Sequence, residues 1–167
     1  IASLKRVCTY ILTHYPEIVL IVDAKRADIG NTNNGYVQFV FDYLGADAIT
    51  LHPYLGREAI QPFLDRRDKG SIILCRTSNP GAGEFQDLPV DGRPLYQRVA
   101  EQVLSWNTNE NCALVVGATY PDEMKIVRQI APDMPLLIPG IGAQGGDVEA
   151  TVLAGVDKNG GGAIINS

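Results

Sequence analysis

Short apolar runs alternate along this chain with longer stretches whose apolar residues recur at helical spacing. Six runs have the length and composition of buried strands: residues 18–22, 48–51, 71–75, 112–116, 135–138 and 163–165. They are β-branched and continuous rather than alternating with polar residues, as parallel strands covered on both faces are. Between them, Val37, Val40, Phe41 and Leu44 line one face of residues 34–44, and Gly45 follows as a stop. Ile60, Phe63 and Leu64 do the same over residues 57–67. Residues 94–106 open with a proline and carry a stripe of Val99, Val103 and Trp106. Residues 123–130 and 147–153 complete the helices. Strand, helix, strand, helix predicts an α/β protein with a parallel sheet.

A doubly wound sheet and a (β/α)8 TIM barrel both fit that alternation. The polar residues decide between them. They cluster just beyond the C-terminal end of nearly every strand: residues 23–25, His52, residues 76–79 and residues 139–144. A barrel builds its site from many strand ends at once, whereas a doubly wound sheet concentrates it at one switch point. Eight βα units need roughly 250 residues, and about six fill the 167 here. The chain therefore reads as one partial barrel domain lacking about two units. The longest irregular stretch, residues 79–93, has the length of a lid or binding loop and equally suits an ordinary surface loop.

Charge and composition narrow the partners. A net charge of −5 with acidic and basic residues interspersed offers no basic stripe for nucleic acid. No apolar run approaches the ~20 residues that span a bilayer. Three well-separated cysteines, Cys8, Cys75 and Cys112, suit reduced thiols in a cytoplasmic protein, with Cys75 and Cys112 in the core. Two distant histidines, His14 in an early helix and His52 at a strand end, make no metal-ligand set, so no metal site is expected.

The most informative segment follows the first apolar run. Strand alternation puts Asp23 and Lys25 on one face, with Ala24 on the other. Asp28 adds a second carboxylate near the ammonium, and Gly30, Asn31 and Thr32 follow closely. An Asp-x-Lys pair alone could be an ion pair that merely closes a barrel. The polar residues after it point instead to a functional site.

Asp23-Ala-Lys-Arg-Ala-Asp28-Ile29-Gly-Asn-Thr32 resembles the signature of orotidine 5′-phosphate decarboxylases, in the form found in their longer bacterial branch. Thr77-Ser78-Asn79-Pro80-Gly81 resembles that family's pyrimidine-contacting segment, and Pro139-Gly140-Ile141-Gly142-Ala143-Gln144-Gly145-Gly146-Asp147 its phosphate loop. The resemblance implies cofactor-free conversion of orotidine 5′-phosphate to uridine 5′-phosphate in pyrimidine biosynthesis. Lys25 would stabilise charge at C6 and deliver a proton, Asp23 would face the departing carboxylate, and Asp28 would help hold the ammonium. Ile29, Thr32, Ser78, Pro139, Gly140 and Gln144 would contact the nucleotide, glycine allowing close backbone approach to phosphate near a helix start. It further implies a homodimer in which Asp28 and Thr32 reach the neighbouring subunit's site. A second lysine and an aspartate would precede Ile1, and a phosphate-binding arginine would follow Ser167. Magnesium-dependent sugar-phosphate decarboxylases or aldolases of the same superfamily share Asp-x-Lys-x-x-Asp and are the rival reading. A non-catalytic phosphate-binding barrel, or a subunit of a split enzyme, is a third.

Overall fold

The computed structural model describes residues 1–142 and 145–166. Its contacts group into two units, Ile1–Ile72 with Thr108–Asn111, and Ile73–Asn107 with Cys112 onward.

In the first unit α1 (Ala2–His14) buries Cys8 and leads to β1 (Ile21–Arg26), which pairs in parallel with β2 (Ala48–Leu51). The intervening helix is wound in two ways. Gly30–Val37 (α2) is α-helical, and Gln38–Leu44 continues it as a π-helix that Gly45 ends at φ 81°. That left-handed conformation is one a glycine adopts without the steric cost of a Cβ. The expected helical face is the buried one: Val40, Phe41 and Leu44 are buried, as are Ile60, Phe63 and Leu64 of α3 (Gly56–Leu64). Phe41 and Phe63 meet edge to face at 6.3 Å. Burying each large apolar side chain contributes about 1.5–3 kcal/mol. At the end of α3, Asn109 and Asn111 donate side-chain N–H groups to the Leu64 carbonyl, and Asn111 donates to those of Arg66 and Lys69. These bonds satisfy carbonyls a helix end leaves open. Next to β2 in the sheet is β3 (Gly70–Arg76), whose first residues belong to this unit.

The first strand lies later than the apolar run predicts. Ile18 and Val19 are exposed and precede the strand. Asp47 fixes the approach by accepting from Leu20 N–H through Oδ2 at 2.8 Å and donating its own N–H to the Leu20 carbonyl at 2.9 Å. The strand runs instead through the charged residues, because their backbone completes the pairing with β2.

The second unit holds the rest of β3, then β6 (Cys112–Val116), β7 (Leu136–Pro139) and β8 (Ala163–Asn166), adjacent in that order. Pairing is parallel, with Leu114 opposite Leu136 and Leu137 opposite Ile164. Helices α5 (Leu95–Trp106), α6 (Pro121–Ile130) and α7 (Val148–Gly155) alternate with the strands. The stretch after β3 is built, not irregular. It contains a 3-10 turn (Pro80–Ala82), a short helix α4 (Gly83–Gln86) and a hairpin of β4 (Pro89–Val90) with β5 (Arg93–Pro94). Asp91 and Gly92 form its two-residue turn, both at positive φ (52° and 79°), as a type I′ hairpin turn requires. In this unit Cys75 and Cys112 are buried, as Cys8 is in the first. Burial pushes the Cys75 thiol up to about 12, so it is no nucleophile at neutral pH. Among the described residues no helix is long and apolar enough to cross a membrane.

Candidate active site

The end of β1 departs from regular strand geometry. Val22 is opposite Ile49 and Arg26 is opposite Leu51, so four steps along β1 match two along β2. The extra residues bulge, and Lys25 sits at φ 47°, a left-handed conformation that a side chain with a Cβ rarely adopts. Two contacts hold it there. The Lys25 N–H donates to Thr50 Oγ1 at 2.9 Å, and the Lys25 ammonium donates to both oxygens of Asp23 at 2.7 and 2.6 Å. Thr50 closes the triangle by donating its hydroxyl to Asp23 Oδ1 at 2.7 Å. Partial burial pushes the Asp23 carboxyl up, but the hydrogen bonds from Lys25 and Thr50 and the ammonium's charge outweigh it and hold the carboxyl below its ordinary value.

Asp23 and Lys25 thus come together as the sequence predicts. Their side chains are 58% and 52% exposed, so the pair is not a buried one. The desolvation penalty of a fully buried pair does not apply, and both groups are open to a ligand. Thr50 is the functional residue that sequence reasoning missed. Its signal was a hydroxyl inside a strand whose four residues are all buried.

Asp28 takes a different place. Its carboxylate accepts from the N–H of Ile29 at 2.7 Å, whereas the ion-pair partner of Lys25 among the described residues is Asp23. The Asp28 backbone is gripped by Asn33, also missed from sequence. Asn33 Oδ1 accepts from Asp28 N–H at 3.0 Å, while Nδ2 donates to the Asp28 carbonyl at 2.6 Å and to that of Ala59. Asn33 is fully buried, with both ends of its amide used. Ile29 and Thr32 are exposed at the start of α2. His52 does not stand as a free ligand, since Nε2 lies 3.1 Å from the Ala27 carbonyl and must carry the proton there.

In the second unit the Thr77–Asn79 segment leaves β3 beside a buried arginine. The Arg76 guanidinium lies 3.8 Å over the Tyr120 ring and donates to Asp87 Oδ2 at 3.1 Å. Gln86 Oε1 accepts from the Thr77 N–H at 2.9 Å. The Ser78 carbonyl accepts from Thr119 Oγ1 at 3.3 Å. Gly117 allows Ser78 its position, because a Cβ there would lie 2.6 Å from both Cα and Cβ of Ser78.

The glycine-rich loop follows β7. Pro139 ends the strand, and Gly140 leaves it at φ 102°. The loop closes on itself: Gly146 N–H donates to the Gly140 carbonyl at 3.1 Å and Gly145 N–H to that of Gly142 at 2.8 Å. Gly146 has no room for a side chain, since a Cβ would lie 2.7 Å from that of Ala118. Asp147 caps α7 by accepting from Ala150 N–H at 2.7 Å. Gln144, the expected phosphate ligand, lies outside the described residues.

The chain is similar to known proteins over nearly its whole length. Residues 3–167 match the family described as Orotidine 5'-phosphate decarboxylase / HUMPS family. The orotidine 5'-phosphate decarboxylase of Janthinobacterium sp. (strain Marseille) is 56% identical over 99% of this chain and 61% of the relative. That of Cellvibrio japonicus (strain Ueda107) is 54% identical with the same coverage. The chain thus spans about three fifths of the curated relatives it matches. Among solved structures, Leishmania donovani OMP decarboxylase superposes with a TM-score of 0.93 at 41% identity, over 99% of this chain and 64% of that one. Leishmania donovani UMP synthase does so with a TM-score of 0.95 at 43% identity, over 99% of this chain and 37% of that one. The α/β architecture is accordingly that of a TIM barrel. With the charged strand end, the serine segment and the glycine loop all within the matched residues, this chain belongs to the orotidine 5′-phosphate decarboxylase / HUMPS family.

Proposed function

We propose that the intact protein converts orotidine 5′-phosphate to uridine 5′-phosphate, with residues 1–167 as part of one barrel domain. The observation that carries this reading is Lys25, held in a left-handed backbone by Thr50 and presenting its ammonium on Asp23. Strain of this kind persists where the surroundings impose it, and functional sites are where it collects. The C6–carboxylate bond breaks, its electron pair stays on C6, carbon dioxide leaves, and Lys25 Nζ supplies the proton that completes C6–H. A fixed ammonium meets the developing charge without reorganising. Asp23 both orients that ammonium and stands against the substrate carboxylate, an interaction relieved as carbon dioxide departs. Ser78 contacts the pyrimidine, and Pro139, Gly140 and Gln144 the phosphate.

The working unit is a homodimer in which Asp28 and Thr32 serve the partner's site, with Ile29 beside them against the nucleotide. Support comes from Asp28 bonding to Ile29 N–H rather than to Lys25, and from the exposure of Thr32. A cytoplasmic setting suits Cys8, Cys75 and Cys112, all three of which are buried.

The test is Lys25→Ala in the intact protein, following orotidine 5′-phosphate loss and uridine 5′-phosphate formation with and without a chelator. Turnover should fall at least about a thousandfold while uridine 5′-phosphate affinity stays near normal, and the unmodified protein should not depend on added magnesium. Near-normal turnover by the variant refutes the role of Lys25. Strict magnesium dependence, with turnover of a sugar phosphate, replaces the substrate by the rival one.

A further inference from the structure

Thr77 lies in a hydrogen-bond relay whose direction is set by a backbone group. The Thr77 N–H can only donate, so the Gln86 atom 2.9 Å from it is Oε1. That turns Nε2 toward Thr77 Oγ1, to which it donates at 2.9 Å. Having accepted there, the hydroxyl has one proton to give. Asn79 Oδ1 at 2.7 Å takes it in preference to Gln86 Oε1 at 3.4 Å. With Oδ1 turned to Thr77, the amide of Asn79 presents its two N–H donors on the side away from the relay.

Both ends are held. Arg76, with a side chain only 3% exposed, donates to Gln86 Oε1 at 3.4 Å and pairs with Asp87. That keeps the amide oxygen where Thr77 needs it. Asn79 has φ −71° and ψ 149°, the extended conformation that a following proline favours. Its carbonyl accepts from Ala82 N–H at 3.1 Å. The residue is exposed, yet its backbone and its amide orientation are both fixed.

We propose that Asn79 is a specificity-determining residue, fixed by this relay as a donor to a carbonyl oxygen of the pyrimidine ring, and that Gln86 is the positioning residue that keeps it so. This rests on the nucleotide substrate proposed above. Uracil carries a carbonyl at position 4, where cytosine carries an amino group. A donor welcomes the first and opposes the second, whose own N–H groups then go unpaired.

The experiment measures dissociation constants of uridine 5′-phosphate and cytidine 5′-phosphate for the intact protein, Asn79→Asp and Gln86→Glu, with thermal transitions to confirm folding. The unmodified protein should prefer uridine 5′-phosphate by at least about tenfold. Asn79→Asp keeps an acceptor for Thr77 but exchanges the donors for a carboxylate oxygen, so the ratio should fall at least about tenfold. Gln86→Glu removes the donor to Thr77, lets the hydroxyl turn back and frees Asn79 to rotate, so the ratio should fall partway. A purely structural role would weaken both nucleotides alike. Uridine 5′-phosphate binding with an unchanged ratio in Asn79→Asp overturns the assignment alone. A fall in Asn79→Asp without one in Gln86→Glu overturns the relay. Binding of neither nucleotide by the unmodified protein overturns the substrate and this assignment together.

Discussion

Replacing Thr50 with valine should separate stability from catalysis. Valine keeps the shape of threonine in a strand whose four residues are all buried, so no cavity forms. What is lost is the hydroxyl that accepts from Lys25 N–H and donates to Asp23. An amide left without its acceptor costs about 1–3 kcal/mol when buried. Because the Asp23 and Lys25 side chains are more than half exposed, water recovers part of this. A stability loss of about 1–2 kcal/mol is expected, which in a chain of this size moves the thermal midpoint by about 2–8 °C. The catalytic loss should be larger than that suggests. The left-handed conformation of Lys25 costs about 1–2 kcal/mol by itself, and Thr50 Oγ1 is the backbone contact that holds it. Without it the backbone relaxes toward an ordinary strand and carries Nζ with it. A displacement of about an ångström at a reacting group can lower turnover about a hundredfold. Kinetics of the intact protein should therefore show kcat falling about a hundredfold with KM little changed, and Thr50→Ser restoring most of it. Turnover of Thr50→Val within threefold of normal would mean that Thr50 does not position Lys25.

Three further outcomes follow from the same contacts. Asp23 is held below its ordinary value, so its contribution is present above the usual carboxylate range and is lost as pH falls through the lowered folded value. Removing the Thr50 hydrogen bond raises that folded value toward the unfolded one, so the acid loss due to Asp23 in a pH–stability profile should be smaller and should end at higher pH in Thr50→Val. If Asp28 serves the partner's site, mixing inactive Lys25→Ala and Asp28→Ala chains should restore activity, since one site of each mixed dimer is then complete. No recovery after demonstrated subunit exchange would place the site within one chain. Gly117→Ala would force its Cβ to within 2.6 Å of Ser78 Cα and Cβ, so Ser78 must move. Uridine 5′-phosphate affinity should drop, and urea unfolding should register about 1–3 kcal/mol of overpacking.

Most of the fold was legible because most of it obeys periodicity. The runs at 48–51 and 112–116 coincide with β2 and β6, and Gly45 ends its helix as a left-handed stop. The departures occur where polar chemistry outweighs pattern. The π-winding of Gln38–Leu44 leaves the buried face of the helix in place, so the spacing of Val40, Phe41 and Leu44 did not reveal it. The hairpin after α4 was overlooked although Asp91-Gly92 is the dipeptide that favours a type I′ turn. Its strands are two residues each, too short for alternation to show.

The candidate site shows the same conflict at the scale of single residues. Alternation in a regular strand predicts Asp23 and Lys25 on one face, and they do meet, but the strand between them is not regular. Four steps of β1 pass against two of β2, and the surplus turns Lys25 into the left-handed region. A side chain two residues from its partner is brought to 2.6 Å by that bulge and by the contacts around it. A bulged, strained residue needs an acceptor for its N–H, and β2 supplies one by putting a hydroxyl among Ala48, Ile49 and Leu51. Thr50 is thus legible only together with β1: alone it is a threonine in a buried strand, where threonine is common. Buried polar residues facing a charged strand end are where local pattern and global structure conflict, and such conflicts are expected at functional sites. Asn33 fits that rule as well, being fully buried in the first turns of α2 with its amide spent on the backbone of Asp28 and Ala59. Neither residue need touch substrate. Each fixes the backbone of one that is proposed to, Thr50 for Lys25 and Asn33 for Asp28, so their replacement should be read first in the rate and only second in the stability of the fold.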